Sequence, residues 1–123
     1  MGGIVGGEAS GGMLSLSTTT RVFVALEPAD MRQGFNGLYS RVQMSLQHDP
    51  LSGHLYVFTN RRCNRLKILY WDGTGLWVCA KRLEKGRFSW PAGQGACRSL
   101  GTLELTALLN GLEVREKAGW YRR

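Results

Sequence analysis

The 123-residue sequence predicts a small α+β domain, in which a mainly antiparallel, curled β-sheet is packed by an N-terminal helix and joined by a C-terminal helix. Three observations carry that prediction. Apolar residues recur at helical spacing between Met31 and Leu46, three β-type segments crowd between His54 and Arg82, and a leucine-rich helical pattern follows Thr102.

The elements follow in order. Residues 1–13 open with MGGIVGGEASGG, which has neither the basic start nor the apolar core of a signal peptide and reads as a flexible leader. Residues 14–112 are expected to form one domain and residues 113–123 a basic tail. Arg21–Leu26 (RVFVAL) is a β-branched and aromatic run, hence a first strand, interrupted before Pro28. Asp30 suits the N-cap of a helix running to Gln47, with Met31, Phe35, Leu38, Val42 and Leu46 on one face. Gly34 and Gly37 weaken that helix by about 1 kcal/mol each relative to alanine, so packing must hold it. His48-Asp49-Pro50 ends it.

His54–Thr59 (HLYVFT), Leu66–Trp71 (LKILYW) and Leu76–Arg82 (LWVCAKR) read as strands, the last two joined by an Asp72-Gly73-Thr74-Gly75 hairpin turn. Their apolar residues fall on both parities, so either both sheet faces are covered or the sheet curls toward a barrel. Arg87–Trp90, before Pro91, reads as a short edge strand and Gly93–Gly101 as a loop. Thr102 caps a second helix carrying Leu105, Leu108, Leu109 and Leu112, with Gly111 near its end.

Composition narrows the function. No apolar run approaches the roughly 20 residues of a membrane helix. Cys63, Cys79 and Cys97 are odd in number and lack CxxC spacing, and His48 and His54 are the only histidines. Neither a disulfide framework nor a zinc site is expected, no cofactor is implied, and free thiols fit a reducing cytoplasm. Glu27 and Asp30 are the nearest approach to a metal-binding carboxylate pair, but they fit better as acids at a helix start. Asp72 with Glu84-Lys85 has the wrong spacing for a restriction-type nuclease. No nucleophile–base or phosphate-loop motif is present, so a non-enzymatic role is expected.

The net charge of +7 is concentrated. Between Asn60 and Arg87, eight basic residues face only Asp72 and Glu84, so this segment holds +6. Such a local field favours a polyanion. A hairpin centred on Gly73 and Thr74 pairs Arg65 with Arg82, Leu66 with Lys81 and Lys67 with Ala80. The Asn60–Asn64 loop arrives at the same end. The expected nucleic-acid-binding set is therefore Arg61, Arg62, Asn64, Arg65, Lys67, Lys81, Arg82, Lys85 and Arg87. The plain alternative is a solvated basic loop. Tyr70, Trp71, Trp77 and Trp90 have the ring faces that stack bases, but the commoner role of such residues is the core; Trp71 and Trp77 would be near-partners on the hairpin.

Several blocks acting together resemble a known family: Arg21-Val-Phe-Val-Ala, Glu27-Pro28 with Asp30-Met31-Arg32, and Asp49-Pro50-Leu-Ser-Gly-His54. Gly34-Phe35 with Gly37-Leu38, Val57-Phe58-Thr-Asn-Arg-Arg62, Arg65-Leu-Lys-Ile-Leu69 with Trp71-Asp72-Gly73, and Lys81-Arg82-Leu-Glu-Lys-Gly86 through Phe88 and Trp90 complete the set. Nearly the whole chain after Met13 resembles the TnpB-type accessory protein, the second open reading frame of IS66 insertion sequences. The resemblance implies a cytoplasmic, non-catalytic helper of a separate transposase, needed in transposition, with no catalytic residues to carry over. Its implied partners are the transposase and other proteins of the element, and DNA, with the element ends as the natural target. Cys63 stands where the family is often basic or polar. Two other readings stay open: an adaptor that meets the transposase without touching DNA and, less favoured, a metal-dependent nuclease.

Overall fold

The computed structural model describes residues 19–111. Five strands form one open sheet: β1 (Val22–Ala25), β2 (Leu55–Thr59), β3 (Arg65–Trp71), β4 (Leu76–Arg82) and β5 (Cys97–Leu100), in the order β4-β3-β2-β1-β5. β1 runs parallel to β2 and every other pairing is antiparallel. The parallel pair needs a long crossover, and the segment with helix α1 (Phe35–Ser40) supplies it. A second helix, α2 (Thr102–Leu109), follows β5.

The two strand parities are explained by a helix on each face. Val22, Val24, Leu55, Val57, Leu66, Ile68 and Leu100 pack with Phe88 and with Leu105 and Leu108 of α2. Ala25, Tyr56, Phe58 and Leu69 pack on the other side with Leu38, Val42 and Leu46. β2 is buried along its whole length as the sheet's centre. Each fully buried leucine or phenylalanine contributes about 1.5–3 kcal/mol relative to exposure. Tyr56 is buried without an orphaned hydroxyl: it donates to the Asp49 carbonyl at 3.1 Å and shares a hydrogen bond with Ser52 Oγ at 2.9 Å.

Five local expectations need correction. Asp30 does not cap the first helix; its carboxylate accepts the Arg32 N–H (2.9 Å) and ion-pairs the Arg32 guanidinium (2.8 Å), closing a separate turn. α1 starts one turn later, after Gly34, and its last turn widens into a π-helical one at Arg41–Ser45, with Leu46 N–H bonded to Arg41 O. Arg87–Trp90 forms no strand, because Phe88 is drawn into the core and Trp90 Nε1 donates to Ala25 O at 2.8 Å. The Gly93–Gly101 loop contains β5, which zips onto the free edge of β1. Gly101, not Thr102, is the N-cap of α2, and the Glu104 carboxylate accepts its N–H at 2.8 Å.

Gly111, at φ 77°, ends α2 in the left-handed conformation that suits glycine. The leader at 1–13, Leu112 and the tail at 113–123 lie outside the described residues. Among the described residues, no helix is long and apolar enough to cross a membrane.

Candidate nucleic-acid interface

The Asn60–Arg65 loop is built by one side chain. Asn60 Oδ1 accepts the N–H groups of Asn64 (3.1 Å) and Arg65 (3.2 Å), and its Nδ2 donates to Asn64 Oδ1 at 2.7 Å. Cys63 closes the turn at φ 57°, a conformation that costs a non-glycine residue about 1–2 kcal/mol. Its backbone is held from both sides: its N–H donates to Asn60 O and its carbonyl accepts the Phe88 N–H at 2.6 Å. Leu83 N–H donates to Asn64 O at 2.9 Å. These last two bonds stitch the segment from Leu83 to Phe88 along the loop. Arg61 and Arg62 on one strip, Lys85 and Arg87 on the other, are all exposed.

The β3–β4 register is the one the turn predicts: Arg65 opposite Arg82, Leu66 opposite Lys81, Lys67 opposite Ala80. Backbone bonds join Asp72 to Gly75 and Asn64 to Leu83, so Arg65 and Arg82 are a non-hydrogen-bonded pair, the kind with the closer side chains. Opposed like charges cost a few tenths of a kcal/mol to about 1 kcal/mol. Arg82 finds Glu84 at 3.3 Å; Arg65 has no ion-pair partner among the described residues.

The pleat divides the set. Arg65, Lys67 and Arg82 share the face that carries α1, whereas Lys81 lies on the α2 face. Lys67 Nζ donates to Gln33 O at 2.8 Å and Lys81 Nζ to Leu109 O at 2.5 Å, so one lysine ties the sheet to the turn that precedes α1 and the other ties it to the last residue of α2. Asn64 is likewise occupied within its loop. Arg65, Lys67, Ala80, Arg82 and the carboxylate-bearing Glu84 border an open groove of about 360 Å³ walled by Met31. Met31 and the Gln33 carbonyl carry no sequence signal for this role, since Gln33 is 34 positions from Lys67.

The remaining candidates have structural roles. Trp77 faces Tyr70 rather than Trp71, and its Nε1 donates to Asp72 Oδ2 at 2.8 Å. Asp30 is held down to about 2 by the Arg32 guanidinium and backbone N–H, which leaves it serving a turn. Among the described residues, no group of three His, Cys, Asp or Glu side chains is placed to hold a metal ion. Burial pushes the Cys79 and Cys97 thiols above their ordinary value, which makes them poor nucleophiles.

Two proteins of Sinorhizobium fredii (strain NBRC 101917 / NGR234) are similar to this chain. The uncharacterized protein y4hO is 38% identical over 110 residues, covering 89% of this chain and 96% of its own length. The uncharacterized protein y4jC is 38% identical over 101 residues, covering 82% and 86%. No solved structure matches the chain. The model of the family described as IS66 Orf2-like protein matches residues 20–119, from the threshold of β1 to beyond α2. That family is one of insertion-sequence accessory proteins and is not a known enzyme family. By this match, spanning both faces of the sheet and the whole basic loop, the chain belongs to the IS66 Orf2-like protein family.

Proposed function

We propose that this accessory protein binds DNA without catalysing a reaction on it, and helps a separate transposase to engage the ends of their element. The supporting observation is the stitched double strip. Backbone bonds from Leu83 to Asn64 and from Phe88 to Cys63 bring two basic segments side by side, with Arg61, Arg62, Lys85 and Arg87 exposed beside Arg65 and Arg82. One carboxylate, Glu84, ion-pairs within this surface. Arginine forks suit phosphate oxygens and guanine edges, and a loop with a fixed backbone loses less freedom on binding. Lys67, Lys81 and Asn64 contribute by holding the scaffold, not by direct contact.

The reading places the protein with DNA and transposase in the cytoplasm. Its test is a titration with duplex DNA from the element end at several salt concentrations. Affinity is expected to fall steeply with salt, by a log–log slope near −0.9 per phosphate neutralised. Charge reversal at Arg61, Arg62 and Arg65 is expected to remove most of that slope. An unchanged slope rejects this surface. Capture of the transposase that survives nuclease treatment, without DNA binding, would replace the reading with a protein adaptor.

A further inference from the structure

The groove beside Arg65 and Arg82 has the features of a seat for one phosphate. Arg65 and Arg82 form a pair whose Cα atoms stand about 4.5 Å apart in this kind of ladder position, and both side chains line the same groove. Ala80, the next residue on that face of β4, ends at Cβ and leaves the groove open between Lys67 and Arg82. Lys67 adds a third positive charge at the groove while its ammonium stays on Gln33 O. Arg82 is held by Glu84 at 3.3 Å, with both side chains well exposed, at 59% and 80%. An exposed pair of this kind is weak and exchangeable. A phosphodiester offers two free oxygens, and each guanidinium donates two parallel N–H bonds.

We propose that Arg65 and Arg82 jointly grip one backbone phosphate of DNA in this groove, and that Glu84 occupies Arg82 until the phosphate displaces it. The clamp rests on the DNA-binding reading above and adds to it a stoichiometry: two arginines, one phosphate. Independent contacts and a shared one differ in a measurable way. If each arginine neutralised its own phosphate, losing both would flatten the salt slope by about 1.8, twice the single loss. A shared phosphate stays neutralised by whichever arginine remains, so Arg65→Gln or Arg82→Gln alone weakens binding with little change in slope, and only the double variant flattens it, by about 0.9.

The experiment measures binding of a fluorescein-labelled duplex across salt for the wild type, these three variants, Glu84→Gln and Ala80→Leu, with thermal melting as the control for folding. Glu84→Gln is expected to bind several-fold tighter, because it frees Arg82. Ala80→Leu, which fills the groove without changing charge, is expected to bind about tenfold more weakly, the loss of one charge-assisted contact. Additive slopes in the double variant, or Glu84→Gln and Ala80→Leu matching a wild type that does bind, would overturn the clamp and leave the DNA-binding reading standing. A wild type that does not bind duplex DNA at low salt would overturn both.

Discussion

The ammonium of Lys81 stands 2.5 Å from the carbonyl oxygen of Leu109, so a lysine on the edge strand closes the C-terminal end of α2. A helix end leaves carbonyls without partners and carries partial negative charge, and a cation there answers both. Lys81→Met keeps the length of the side chain and removes the cation. It is expected to lower stability by about 1 kcal/mol, or about 5 °C in Tm for a domain of this size. The salt slope of DNA binding should stay at the wild-type value. A fall in that slope would return Lys81 to the binding surface.

Asn60 is the second structural pivot. Three hydrogen bonds from one amide hold Asn64 and Arg65, and through them the strip carrying Arg61 and Arg62. Asn60→Ala leaves two N–H groups without their acceptor and is expected to cost about 1–3 kcal/mol in urea unfolding. Binding should weaken as well, because the arginines lose their fixed positions. Wild-type stability in this variant would show that the turn is held without its asparagine.

The hairpin tip predicts an acid transition. Asp72 accepts the Trp77 indole N–H, the backbone N–H groups of Thr74 and Gly75, and the Thr74 hydroxyl, and these bonds hold its carboxyl well below the usual range. Because the folded value is depressed, this stabilisation is complete above the unfolded value of 3.8 and is lost as pH falls through the folded one. Trp77 fluorescence, taken as the difference from Trp77→Phe, is expected to change only in strong acid. A midpoint at the ordinary aspartate value would contradict the hydrogen-bonded tip.

His54 predicts a milder dependence nearer neutrality. Its Nδ1 accepts the Arg21 N–H at 3.0 Å, joining the starts of β1 and β2. Burial first, then the charges of Arg21 and His48, hold its pKa below the ordinary 6.5. The neutral ring therefore belongs to the folded state: stability is full above 6.5 and declines as pH falls through the folded value. Urea midpoints at pH 7.5 and 5.5 should differ in the wild type and differ less in His54→Gln, whose amide oxygen can accept the same N–H.

The β3–β4 hairpin was legible in the sequence, because a two-residue Gly73-Thr74 turn between Asp72 and Gly75 imposes its register and period-two alternation does the rest. The apolar face of the first helical segment was legible through Leu38, Val42 and Leu46, whereas Phe35, expected on the same face, starts the helix exposed. β5 was not. Cys97-Arg98-Ser99-Leu100 has little intrinsic strand preference, and it becomes a strand because β1 offers an unpaired edge. Asp30 misled for a related reason: the same carboxylate suits an N-cap and a turn, and Arg32 two positions on tips the choice.

Charge and spacing along the chain were enough to say that positive residues from the Asn60 loop and the end of the hairpin would meet. Which of those cations stay available was settled by packing. Lys67 and Lys81 differ in their neighbours across space: a carbonyl 34 residues away claims one and a carbonyl 28 residues away claims the other. Alternation assigns each residue to a face of the sheet, but which helix end waits on that face depends on how distant elements dock. A short-range pattern encodes the first and cannot encode the second.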